Sequence, residues 1–225
     1  MSRLLLEWRR RWRLRRLAAC PLRDYLEAPF PQPRRDYRDV EYVAVDLETT
    51  GLNARRDQIL SIGWVCLAGN RIRLNSARHR LIRVRGNIPA DSAVIHQITD
   101  DVAASGIALS TALPELLADL AGRVLIAHHA RVELRFLTAA CRRLWGQGLL
   151  VRALDTQTVA RRLLERRQIP FKGSDLRLHS LCERYNLPRY GAHNALSDAL
   201  SAAELFLAQA AHRDTGHGMK LGDFL

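Results

Sequence analysis

Val43-Ala44-Val45-Asp46-Leu47-Glu48-Thr49-Thr50-Gly51 is the stretch around which the chain is organised. Its opening residues are apolar and rich in β-branched valine, the composition of a buried strand. Two carboxylates follow at i and i+2, a spacing that a strand turns to one face. Neighbouring acids at the end of a core strand repel each other, and a divalent cation is the usual compensation. Two solvated acids at a strand end are the other reading. Thr49, Thr50 and Gly51 then turn the chain, with hydroxyls and a permissive backbone that suit close approach of a polar ligand.

Working outward, residues 42–47, 59–66 and 71–84 read as three strands. A polar turn at 53–57 joins the first two, and Ala68-Gly69-Asn70 forms a hairpin turn between the second and third. Residues 124–127 and 149–154 supply two further core strands. Helices are expected at 110–121, from about 131 to 144, after Asp155-Thr156, and at 178–186 and 194–210. This order predicts an α/β fold, a mixed five-stranded sheet flanked by helices. Ligands gather at strand ends in such sheets, and Asp46, Glu48, the 128–133 segment and Asp155 all fall there. Asp155 itself reads as a helix cap, and His179, on an apolar helix face, as a core histidine.

The 225 residues divide into a basic, partly helical extension with a proline-rich linker (1–40), a central domain (41–210) and a glycine-rich tail expected to be mobile (211–225). Net charge is +12, which favours anionic partners, nucleic acid first and acidic membrane second. The first 40 residues carry eleven arginines against five acids, half of that excess. Within them Leu5, Trp8 and Trp12 recur at helical spacing. The resulting helix would clamp nucleic acid, dock a polymerase or other protein partner, lie on a membrane surface, or pack its tryptophans on the domain. The four cysteines show neither zinc nor redox spacing and read as buried thiols. No apolar run is long enough to span a bilayer. Arg13, Arg15 and Arg16 interrupt the stretch that an export signal needs before Cys20. A cytoplasmic protein is therefore expected.

Three segments together carry a resemblance: Asp46-x-Glu48-Thr49-Thr50-Gly51, then His128-His129-Ala130-x-x-Glu133-x-x-Phe136-Leu137, then His193-x-x-x-x-Asp198. They resemble the three motifs of the DEDD exonucleases of the histidine subtype, over about residues 41–210. The resemblance implies a ribonuclease-H-like fold and a metal-dependent 3′–5′ exonuclease. Its substrate would be nucleic acid with a free 3′ end, DNA before RNA, released as nucleoside 5′-monophosphates. It implies two Mg²⁺ or Mn²⁺ ions held by Asp46, Glu48, Glu133 and Asp198. Asp46 would bridge both ions, Glu48 and Asp198 would hold the ion carrying the attacking water, and His193 would take that water's proton. Thr49, Thr50, Gly51 and Leu52 would hold the terminal nucleotide, with His96 near its base. The second motif departs from the family pattern, with His129 for asparagine, Val132 for phenylalanine and Glu133 for aspartate. Glu133 would then either reach its ion directly or weaken it, the latter leaving a weakly active nucleic-acid-binding or polymerase-associated module. His129 would contact a phosphate or make a structural hydrogen bond.

Overall fold

The computed structural model describes residues 3–84, 86–191, 193–214, 216 and 218–225. Its sheet has the order β3-β2-β1-β4-β5, built from β1 (Glu41–Thr49), β2 (Ile59–Ala68), β3 (Arg71–Leu81), β4 (Val124–Ala127) and β5 (Ala153–Asp155). The central strand β1 runs antiparallel to β2 and parallel to β4, and β5 extends the parallel half. This is the expected mixed five-stranded arrangement.

Alternation along β1 assigns its two faces. Val43, Val45 and Leu47 join Ile62, Trp64 and Leu125 in one core. Helices α1 (Arg3–Leu14), α2 (Pro21–Glu27), α5 (Leu109–Leu120) and α6 (Arg131–Trp145) contribute to that core. Tyr42 and Ala44 face the other way, into a core with Val65, Ile126, Leu154 and Phe206. There α7 (Thr156–Arg166) and α9 (Ala195–Arg213) pack, with α8 (Leu178–Arg184) beyond them. Asp46 and Glu48 continue the Tyr42–Ala44 row. One face of one strand is therefore apolar at its start and acidic at its end.

Three sequence expectations are corrected here. The last strand is Ala153–Asp155, shorter than 149–154. Leu149 and Leu150 are apolar because they are buried, and the Leu150 carbonyl accepts from Tyr25 Oη at 2.9 Å instead of joining the ladder early.

The extension at 1–40 is not a separate unit. Leu6, Leu17, Leu22, Tyr25, Leu26 and Phe30 lie in the same core as β1. Its first helix has the expected period, and of the alternatives the packing of its tryptophans on the domain is the one that fails. Leu5, Trp8 and Trp12 are 44%, 61% and 38% exposed, while Leu6 and Arg10 point inward. The Arg10 guanidinium reaches both Glu7 and the Leu26 carbonyl, and Arg13 donates to the Gly148 carbonyl. Arginines are tolerated inward because they satisfy orphan carbonyls of neighbouring segments.

The tail expected to be mobile is anchored at its end. Phe224 and Leu221 are buried, and Phe224 packs against Tyr37 at 5.4 Å and Phe206 at 5.5 Å between ring centres. Backbone bonds from Tyr37 to Met219, Leu221 to Arg35 and Gly222 to Pro33 tie it to the segment before β1. Glycine content signalled looseness, but the aromatic at the end had a hydrophobic slot. Thr215 and His217, also within that expectation, lie outside the described residues. Among the described residues no helix is long and apolar enough to cross a membrane.

Candidate active site

The acidic end of β1 is the floor of the site. Carboxylate oxygens of Asp46, Glu48 and Asp198 lie within 4.8 Å of one another. Asp198 comes from the first turn of α9, more than 140 residues away in sequence. What brings it there is Gly63, which sits opposite Asp46 in the β1–β2 register. A side chain at Gly63 would collide with the Ala195 carbonyl and the Leu196 nitrogen, so the start of α9 lies directly on the sheet. Asn194 caps that helix, accepting from the Leu196 and Ser197 N–H groups. His193 precedes the cap at φ 64°. Its backbone N–H donates to Asp198 Oδ2 at 3.0 Å, and its residue stands exposed at the mouth of the site.

Glu133 arrives from the first turn of α6 and is 4% exposed. It lies outside the tight trio but close enough to act on it electrostatically. Burial, with Glu133, Glu48 and Asp198 around it, pushes the Asp46 carboxyl well above the usual carboxylate range. Burial, then Glu48, pushes Asp198 up to about 6, against the opposing His193 N–H bond. Burial also pushes Glu133 up to about 8, with Asp155 and Glu48 adding to the rise. Glu48 Oε1 and Glu133 Oε2 are buried without a hydrogen-bond partner. Four crowded carboxylates with orphaned oxygens form a hard, oxygen-only donor set, which fits a small divalent cation.

The remaining predicted site residues distribute as follows. His96, at the end of α3 (Ala90–His96), lies with Nδ1 against Glu48 Oε2, and its ring is edge-on to that of His193 at 6.1 Å. It thus stands among the acids. Thr49 Oγ1 donates to the Gly51 carbonyl and Thr50 Oγ1 accepts from the Gln58 N–H, so both hydroxyls shape the turn. Leu52 projects from that turn, 78% exposed. Val94 (78%) and Ile95 (47%) are also exposed, on α3, which is tied to the turn by Ser92 Oγ donating to the Thr49 carbonyl. His129, at φ 61°, pairs with Gln157 Oε1 at 2.9 Å, the structural hydrogen bond of the two alternatives. Asp155 is a helix cap as expected, accepting from the N–H groups of Gln157, Thr158 and His129.

His128 is structural too. Its Nε2 donates to the Leu176 carbonyl, so its Nδ1 accepts from Thr156 Oγ1. Burial holds its pKa down to about 4, and the ring stays neutral.

Sequence reasoning missed most of one wall of the site; Arg177 alone lies in a basic stretch, 161–177, that reads as either a solvated face or a lip for phosphates. A cleft of about 530 Å³ runs from Asp46, His193 and Asp198 to Arg177, Arg189 and Tyr190. His179, expected in the core, is exposed on this wall, where it accepts from Arg189. No spacing pattern marks these residues, because a loop and a short helix bring them together. Gly63 was equally silent: one glycine in a strand has many explanations.

A family model described as Exonuclease matches residues 43–206, a span that includes every acid of the site. The chain belongs to the exonuclease family. Within this family the chain is 31% identical over 186 residues to the DNA polymerase III subunit epsilon of Treponema pallidum, covering 80% of this chain and 82% of that one. It is also 31% identical over 171 residues to the PolC-type DNA polymerase III of Thermotoga maritima, covering 76% of this chain but only 12% of that much longer protein. The nuclease domain of 3′hExo, a DEDDh family member bound to rAMP, shares the fold at a TM-score of 0.66 and 14% identity. That match covers 80% of this chain and 96% of that one. Exonuclease X in complex with 5′-overhanging duplex DNA does so at 0.60 and 21%, covering 81% and 99%. The expected exonuclease fold and family membership therefore hold for this chain.

Proposed function

We propose that the protein is a 3′–5′ exonuclease that removes nucleoside 5′-monophosphates from DNA with the help of two divalent ions, Mg²⁺ or Mn²⁺. The observation that carries this is the convergence of Asp46, Glu48 and Asp198 within 4.8 Å at the foot of an open cleft, with His193 bonded to Asp198. Divalent ions held there supply positive charge on both sides of a phosphodiester. Asp46, Glu48 and Asp198, with Glu133 beside them, would hold these ions through carboxylate oxygens. His193, exposed at the mouth, takes the proton of the attacking water as general base. His96 orients Glu48. Leu52, Val94 and Ile95 offer exposed apolar surface on which the terminal base rests, with the backbone of the turn at 49–52 beneath it.

DNA is favoured over RNA because the relative matched over most of both chains is named as a DNA polymerase subunit. The exposed row of Leu5, Trp8 and Trp12 on α1 is where a polymerase or other protein would bind. The test is digestion of 5′-labelled single-stranded DNA, and of the matched RNA, with Mg²⁺ or Mn²⁺. Stepwise shortening from the 3′ end, faster on DNA and lost in Asp46→Ala, is expected. Equal degradation by the Asp46→Ala protein would defeat the assignment.

A further inference from the structure

A second concavity lies at the same end of the sheet but on the opposite face, between α6, the loop after β1 and the end of β3. Its volume is about 610 Å³. The floor is apolar: Ile59, Ile82, Phe136 and Ala140, all part of the main core. The rim is cationic. Arg55 and Arg56 come from the loop, Arg83 from just beyond β3, and Arg142 and Arg143 from the last turns of α6; all five are exposed. Asp57 is the one acid in this lining. It is engaged by the Asn53 N–H at 2.7 Å and lies 3.6 Å from Arg56. Arg55, Arg142 and Arg143 have no acidic partner among the described residues, and the Arg83 Nε donates only to the Ala104 carbonyl.

An arginine-rich chain scatters solvated guanidiniums over its surface, but these five come from three separated segments and converge on one groove. Mutual repulsion makes such an arrangement costly until an anion lies among them. The groove also has a direction. The helix α6 carries Glu133 in its first turn and Arg143 in its last, ten residues or about 15 Å apart along the axis. The loop that bears Arg55 and Arg56 is the continuation of the turn at 49–52. The groove therefore begins where the acid site ends and leads away from it.

We propose that this groove is a track for the polynucleotide upstream of the 3′ terminus being cut. The guanidiniums hold successive phosphates and the apolar floor takes sugar and base edges. The arginines read backbone charge, so the track is indifferent to sequence. This rests on the exonuclease reading and deepens it: the enzyme holds long strands better than short ones through residues remote from the chemistry.

The test uses the full chain with Arg55→Ala, Arg83→Ala and Arg143→Ala combined, one change per segment. A second protein carries only Arg55→Glu and Arg143→Glu, and circular dichroism checks that both fold. On a strand of about 20 nucleotides at low salt, KM should rise about tenfold with kcat unchanged. The slope of log affinity against log salt should fall by about two for the triple variant. On a trinucleotide, too short to leave the acid site, both variants should match the wild type. Unchanged KM on the long strand overturns the proposal, as does an equal loss on both substrates, which would indicate a disturbed site. The same arginine changes made in the Asp46→Ala background are read by anisotropy of a labelled strand. Weakened binding there supports the track even if the wild type cleaves nothing, in which case the exonuclease reading alone fails. Should a polyglutamate peptide occupy the groove and the long strand fail to displace it, the occupant is an acidic protein and the track is refuted.

Discussion

Gly63→Ala tests whether the site is assembled in the way described. The substitution adds one methyl group to a strand and changes no ionisable group. A Cβ built there lies 2.1 Å from the Ala195 carbonyl carbon and 2.3 Å from its oxygen, where ordinary contact begins at 3.4 Å. The start of α9 must therefore move by about 1 Å, because the atoms in the way are backbone and cannot rotate aside. Asp198 sits one turn into that helix and moves with it, and Asp46, opposite Gly63, stays with the sheet. A cluster whose oxygens lie within 4.8 Å opens accordingly. Overpacking of this kind costs about 1–3 kcal/mol of stability. A displacement of about 1 Å in a catalytic group costs about a hundredfold in rate. Denaturation with urea, beside kcat on a labelled single strand, separates the two effects. Gly173→Ala, at a glycine whose added Cβ would meet nothing within 4 Å, is the control. A Gly63→Ala protein with activity within about twofold of wild type would show that the placement of Asp198 does not depend on this contact.

Three further outcomes are expected. Without metal, Glu133 at about 8 and Asp198 at about 6 hold protons that the unfolded chain has released at those pH values. The stability they contribute is full below their ordinary carboxylate range and is lost as pH rises through about 6 and then about 8. The melting temperature of the metal-free protein should fall between pH 5 and pH 8.5, with Mg²⁺ restoring it most at the upper end; a flat profile would contradict this. Glu133→Gln removes a buried carboxylate, so it should raise the metal-free melting temperature at high pH while lowering Mn²⁺-supported cleavage by about tenfold or more. Calorimetry and a metal titration read the two arms. Phe224→Ala should cost about 3 kcal/mol in chemical denaturation, since the ring is buried on Tyr37 and Phe206; a loss under about 0.5 kcal/mol would mean that the tail carries no packing.

The sheet was legible because β1, β2 and β4 are apolar runs bounded by turn residues, and the hairpin turn at Ala68–Asn70 delivers the polar β3 beside β2. The trio of Asp46, Glu48 and Asp198 was legible for another reason: acids in apolar surroundings are rare enough to stand out. The sequence left the face of α1 open because Leu5, Trp8 and Trp12 outweigh Leu6 on any hydrophobic scale. The buried side instead depends on Arg10 and Arg13 finding carbonyls in segments 16 and 135 residues away. The cleft wall of Arg177, Arg189 and Tyr190 is likewise a long-range product. The contact of His96 with Glu48, made by the short helix α3, had no signal in the sequence. In each case the missing information was which distant backbone lay alongside.

The pairing of residues 33–37 with residues 219–222 has a further reach. The segment before the catalytic sheet and the segment after α9 lie side by side, joined by three backbone bonds and an aromatic lock. The segment before β1 and the last residues of the chain therefore stand or fall together, and loosening one releases the other. Similar segments occur both as most of a separate subunit and as roughly an eighth of a large polymerase chain.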